Sequence, residues 1–360
     1  MLHGRRVMGF LLAALMALPF VGLDLFGQAK DEKKTGEKKT DTPKKDEKKD
    51  DKKETPKDTG KVTLAWKFEK NKTFYQTMKT TTNQTMKVMN NDVTQKQEQT
   101  FYFSWTPIKE EGGKWMLEQK ILGVKMDIDI GGSPIHYDST STNTNPNNPL
   151  GEFFKALVGS TFTVTLDPKT YKITEIKGRE EFVKKLVAAN KQMQPLLDKI
   201  LSEEALREMA EPTFNVIPNE VLEKGKTWKK DPPALDMGPI GKYKNESTYK
   251  YEGADDKDKN LEKISVDTKL TYSPPEKSDG VGGLPFRIKS AKLESKEGKG
   301  SIVFNREKGR VDKSNTSIKL DGTLEIEIGG QPTKVELSQT QNTDVTSSDT
   351  NPVETKPTGK

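Results

Sequence analysis

Residue types alternate with a period of two through most of this chain, from Lys61 to about Ser338, and this pattern limits the fold more than any other feature. KVTLAWKFE (61–69), TFYQTMKT (73–80), TQKQEQTFYFSW (94–105), KWMLEQKILGVKMDIDI (114–130), STFTVTLD (160–167) and YKITEIKG (171–178) make a first strand set. STYKYEG (247–253), EKISVDTKLTY (262–272), FRIKSAKLES (286–295), GSIVFN (300–305), TSIKLDGTLEIEI (316–328) and TKVELSQT (333–340) make a second. Alternation sends successive side chains to opposite faces, and long clean runs of it suit antiparallel strands with one wet face. The expected fold class is therefore mainly β (α+β): long antiparallel strands in a curved sheet or half-barrel built from two related strand sets, with a helical insert.

Helical spacing interrupts the pattern twice. In NNPLGEFFKALVG (147–159), Asn148 reads as N-cap, Pro149 as the first helical residue and Gly159 as the stop, with Leu150, Phe153, Phe154 and Leu157 on one face. In residues 179–211, Phe182, Leu186, Ala189 and Met193 form a stripe. Pro195 is expected to break that helix, and Ser202 to cap a further turn beside Glu203 and Glu204. The insert separates a strand set at 61–178 from one at 212–338.

KMDIDIGGSPIHYDST (125–140) places His136 among Asp127, Asp129 and Asp138, and so poses the question of a metal or acid–base site. A two-residue turn at Gly131-Gly132 fixes the register instead. It sets Ile128 opposite Ile135, Met126 opposite Tyr137, Asp127 opposite His136 and Lys125 opposite Asp138. One face is then apolar, and the other carries two attractive cross-strand pairs. LEIEIGGQPTKVEL (324–337) repeats the device with Glu325 opposite Lys334. A histidine whose counterpart is lysine reads as a charge partner, and a lone histidine falls short of any metal motif. No metal site and no cofactor are expected.

The ends have other compositions. Arg5 and Arg6 precede the apolar run VMGFLLAALMALPFVGL (7–23), and GQA (27–29) offers small residues for cleavage after Ala29. This reads as a signal peptide over 1–29, with a retained N-terminal membrane anchor as the alternative. Residues 30–60 hold no apolar side chain and read as a disordered charged linker; residues 339–360 read as a disordered tail. The net charge of +6 is unevenly placed: residues 30–59 hold twelve lysines against ten acids, the first 29 residues add one positive charge, and +3 remains for 60–360. No basic patch interleaved with aromatics remains, so nucleic acid is not an expected partner. The chain has no cysteine, which excludes disulfides, thiolate metal sites and a cysteine nucleophile. Export without cysteines fits a bacterial, periplasmic or extracellular protein.

The opening FEKNKTF (68–74), Tyr137-Asp138-Ser139 after a hairpin, the Asp167 to Gly178 strand pair and Gly225 to Trp228 together carry a resemblance. The chain resembles a family of exported bacterial proteins with a domain of unknown function, and Asn71 stands where that family usually has glycine. The strand pattern with helical inserts is also similar, at the level of fold, to the half-barrel of periplasmic lipoprotein carriers. The resemblance implies no catalytic residue.

Three function classes remain. An enzyme lacks a visible nucleophile, phosphate loop or dinucleotide fingerprint, and a hydrolase would have to use carboxylates such as Asp127 and Asp129; the expectation is no enzyme. A carrier would bind a lipid or other apolar ligand under the helices 149–158 and 179–211. Its candidate lining residues are Met78, Met86, Met126, Phe153, Phe154, Phe182, Leu186 and Met193, with Met89 and Met116 beside them. The same residues packed as solid core would leave an envelope scaffold or spacer whose partners are envelope components.

Overall fold

Hairpin after hairpin, the alternating stretches pair antiparallel with their neighbours. The computed structural model describes residues 61–89, 91–141, 151–276, 284 and 286–353. The expected signal peptide, the charged linker, and the Asn148 cap with Pro149 lie outside the described residues. In the first arm, β2 (Phe74–Val88), β3 (Asn91–Glu111), β4 (Lys114–Ile130) and β5 (Ser133–Asp138) precede helix α1 (Gly151–Leu157), and β6 (Thr161–Asp167) and β7 (Lys172–Lys177) follow it. Helices α2 (Arg179–Ala189), α3 (Gln194–Ile200) and α4 (Glu203–Ala210) form the insert. The second arm holds β9 (Thr227–Lys230), β10 (Leu235–Asp236), β11 (Lys242–Ala254), β12 (Leu261–Ser273), β13 (Phe286–Asn305), β14 (Arg310–Ile328) and β15 (Gln331–Ser348). A separate pair joins β1 (Lys61–Val62) to β8 (Leu222–Glu223).

The two arms form one sheet of 13 strands, in the order β10-β11-β12-β13-β14-β15-β2-β3-β4-β6-β7, with β5 on β4 and β9 on β11. The last strand joins them: β15 pairs with β14 on one side and with β2 on the other, from Val335 opposite Val88 to Ser348 opposite Tyr75. This corrects the expected disordered tail from residue 339. SQTQNTDVTSS lacks the apolar alternation that marks the other strands, yet it runs through the centre of the sheet with Gln339, Gln341 and Thr343 buried.

Bulges in β13 at Ile288/Ser290 and Ser295/Glu297, and the register shift between β12 and β13 at Asp267/Thr271, bend the sheet around one face. Gly298 permits a close approach of β13 to β12, since a Cβ there would meet the Thr268 carbonyl oxygen at 2.1 Å. The sheet curves without closing. Helix α4 packs against both β7 and β10, which are its two end strands, so helix completes what strand pairing leaves open.

Three local readings change. KVTLAWKFE is a strand only at Lys61–Val62, although its alternation runs on past the strand, with Val62, Leu64 and Trp66 buried and the residues between them exposed. The Trp66 indole donates to the Phe214 carbonyl at 2.7 Å, and the Phe214 ring lies 5.1 Å from Trp66 and 5.2 Å from Trp105. Asn71 turns the chain at φ 63°. In the insert the first helix stops at Asn190, whose extended backbone (φ −152°) ends it before Pro195, so the proline opens α3 rather than breaking a longer helix. Ala189 is exposed and leaves the stripe. Ser202 caps α4 as its position suggests, accepting from the Ala205 amide at 3.1 Å.

Candidate functional site: an apolar cavity beneath the helices

A cavity of about 370 Å³ lies between the concave face of the sheet and the helical insert. Strand parity builds its floor: Met78 on β2, Phe101 and Phe103 on β3, and Val345 on β15 share the inward face. The second arm adds Val266 and Ile302. Its roof is the apolar side of the insert, with Phe182 and Leu186 on α2, Leu196 and Leu197 on α3, and Leu206 and Met209 on α4. The Phe182 ring meets Phe162 of β6 edge-on at 4.8 Å, which ties the roof to the first arm. Among the described residues, no charged one lines the cavity.

The structure divides the expected lining set. Met78, Phe153, Phe182, Leu186 and Met193 lie on the cavity wall. Met86, Met126 and Phe154 do not, and the expectation is corrected for those three. Met86 is buried in register between Leu337 and Val93, Met126 pairs with Gln99 and is sealed within the core, and Phe154 turns from the cavity to pack against Tyr137 at 5.3 Å. Met116 also lies off the wall, and Met89, at a turn, is 60 % exposed. Gln76, Gln99, Ser314, Thr316 and Thr343 line the cavity although none of them was anticipated. Period two places Gln76 and Gln99 on the same face as Met78 and Phe101, so parity was the available signal.

The hairpin at 125–138 has the expected register, with Asp127 opposite His136 and Gly131 and Gly132 at φ 57° and 83°. His136 Nδ1 meets Asp127 Oδ1 at 2.5 Å on the solvent side, where both side chains are more than half exposed. The echo at 324–337 also keeps its register, although Lys334 Nζ pairs with Glu336 at 3.0 Å and not with Glu325. Among the described residues no group of three His, Cys, Asp or Glu could hold a metal ion.

Titratable groups sit around the roof. Burial raises the Glu208 carboxyl of α4 to about 7, and raises Glu211 as well. Burial also lowers the Lys230 ammonium to about 8, and its Nζ donates to Asn215 Oδ1 at 2.6 Å. The Glu211 carboxylate accepts from the Ile173 amide of β7 at 3.1 Å, and none of the three groups is on the cavity wall.

A family model described as "Family of unknown function (DUF6263)" matches residues 112–351. The chain belongs to that family. No curated protein matches the sequence. Among solved structures, one of lipovitellin, titled for its lipid–protein interactions, is 9% identical with a TM-score of 0.37, covering 78% of this chain and 25% of its own. The chain therefore spans about a quarter of the lipovitellin chain. DynF of Micromonospora chersina is 9% identical over 78% of this chain and 84% of its own, with a TM-score of 0.18. An outer membrane channel of Pseudomonas putida F1 is 8% identical over 82% of this chain and the whole of its own, with a TM-score of 0.21. Among the described residues no helix is long and apolar enough to cross a membrane.

Proposed function

We propose that this protein is an exported, non-catalytic carrier that encloses an apolar ligand, such as a single acyl chain, between its curved sheet and its helical roof. The observation that supports this most directly is the cavity of about 370 Å³ with no charged residue on its wall among the described residues. Small-molecule sites span roughly 300–1,000 Å³ and are mostly apolar with a few placed polar groups, which describes this one. Interiors are ordinarily close-packed, so a void of this size under a separate helical element favours a ligand site over a scaffold's solid core. Export rests on Arg5, Arg6 and the apolar run before GQA (27–29).

Native mass spectrometry of protein purified from its own source, together with titration of a fluorescent fatty-acid probe, tests the reading. A co-purified amphiphile and saturable probe uptake are the expected results. Protein that takes up no apolar probe would leave the scaffold in its place.

A further inference from the structure

Where β15, β2 and β3 run side by side, nine polar residues occupy the buried face in three registered rows. The first row is Gln99–Thr80–Thr343, the second Gln97–Thr82–Gln341, and the third Gln95–Gln84–Gln339. All nine are between 1% and 7% exposed. Apolar residues flank the same rows, with Met126, Ile128 and Ile130 on β4 and Ile318 and Leu320 on β14, so the patch is an island inside the core.

The island is not internally satisfied. Along β3 the amides run head to tail, Gln95 Nε2 donating to Gln97 Oε1 at 3.1 Å and Gln97 Nε2 to Gln99 Oε1 at 3.0 Å. Among the described residues, neither polar atom of the Gln84 side chain finds a protein partner, nor do Gln95 Oε1, Gln339 Oε1 and Thr82 Oγ1. Buried side-chain polar atoms are ordinarily paired, and a partly satisfied network is worse for stability than an apolar core.

Its outer row touches the cavity: Gln99 and Thr343 lie on the wall, next to Thr316 of β14. The amide run occupies the Gln99 carbonyl, so its Nε2 hydrogens remain to donate into the cavity. The same holds for Gln76, whose carbonyl accepts from the Trp105 indole at 2.7 Å. The polar wall thus offers neutral donors and hydroxyls without any countercharge. An ionised head would lose its hydration there and gain no ion pair.

We infer that the cavity selects amphiphiles with an uncharged, hydrogen-bond-accepting head, such as an amide, ester or alcohol, and that this head docks on Gln99 and Thr343 while the chain lies under the helices. The inference rests on the carrier reading and names its ligand class.

Displacement of N-phenyl-1-naphthylamine from the full chain tests it, using decanamide, decanol, decanoate at pH 9 and decane as competitors. The neutral headed compounds should displace the dye at concentrations at least tenfold below those of decanoate and decane. Gln99→Met and Thr343→Val should each remove most of that preference, by weakening decanamide and decanol relative to decane; the second stands in if the first fails to fold. Decanoate competing as well as decanamide, or decane as well as decanol, would overturn the inference and leave the carrier standing. A preference that survives both substitutions would also overturn it. Failure of the dye and of every competitor to bind would remove the carrier reading itself, and this inference with it.

Discussion

Two neighbouring glutamines should respond to the same substitution with opposite signs. Gln84 is 2% exposed, and neither its Oε1 nor its Nε2 finds a protein partner among the described residues. Gln84→Met keeps length and shape, removes an amide that gains nothing from burial, and adds apolar contact. An unpaired buried amide costs about 1–3 kcal/mol on the scale of protein mutations, so the variant should be more stable by about that amount. Gln97, 5% exposed and opposite Thr82 in the row next to it, accepts from Gln95 and donates to Gln99. Gln97→Met deletes two hydrogen bonds and strands both partners in the core, which should cost about 2–4 kcal/mol. Urea denaturation of the three proteins, followed by tryptophan fluorescence, gives the comparison, with the midpoint moving up for one variant and down for the other at constant slope. If Gln84→Met instead loses more than about 1 kcal/mol, buried water pairs its amide in the folded protein. The polar island would then be a satisfied structural network, and the reasoning from its orphaned groups would fail.

Other consequences can be checked with the same material. Phe182→Ser with Leu186→Ser should abolish probe uptake; because both side chains face a void, each loss of stability should sit at the low end of large-to-small costs, about 5 kcal/mol for the two together, measured by thermal melting. Truncation after Ser338 should prevent folding, visible as lost near-ultraviolet dichroism, because it removes the part of β15 that is hydrogen-bonded between β14 and β2. His136→Lys should melt within a degree or two of wild type and show no change in zinc binding by calorimetry, the pair with Asp127 being exposed and worth about 0–1 kcal/mol. Stability should pass through a trough near pH 7–8. Glu208, raised from 4.5 to about 7, contributes stability that is full below pH 4.5 and lost as pH rises through 7, whereas Lys230, lowered from 10.5 to about 8, contributes stability that is full above pH 10.5 and lost as pH falls through 8. Glu208→Gln should flatten the acid side of that trough by about 2 kcal/mol in denaturant titrations between pH 4.5 and 7.

Much of the fold was legible because most strands have one wet face, and a half-buried strand writes its orientation into the sequence as alternation. The two Gly-Gly hairpins show how far this goes. Once Gly131 and Gly132 are set as the turn, every pair from Ile130–Ser133 to Lys125–Asp138 follows. Depth is another matter. Periodicity assigns Met78 and Met86 to the same face of β2, but only the bend of the sheet decides that Met78 borders a void while Met86 is sealed between Leu337 and Val93. Phe153 and Phe154 are adjacent in sequence and separate in the same way, one on the cavity and one on Tyr137.

The residues that escaped notice share a different cause. Inward glutamines and threonines look like a solvated strand, because burial of unpaired polar groups is costly and a sequence reading takes cost as improbability. That assumption erased the C-terminal half of β15, where Gln339, Gln341 and Thr343 replace the expected aliphatics, and it passed over Gln99 beside Phe101. The same cost is what separates these residues from ordinary core. A stretch that violates the rule for a stable interior, at the place where an apolar cavity ends, is where a requirement of function would outweigh one of stability.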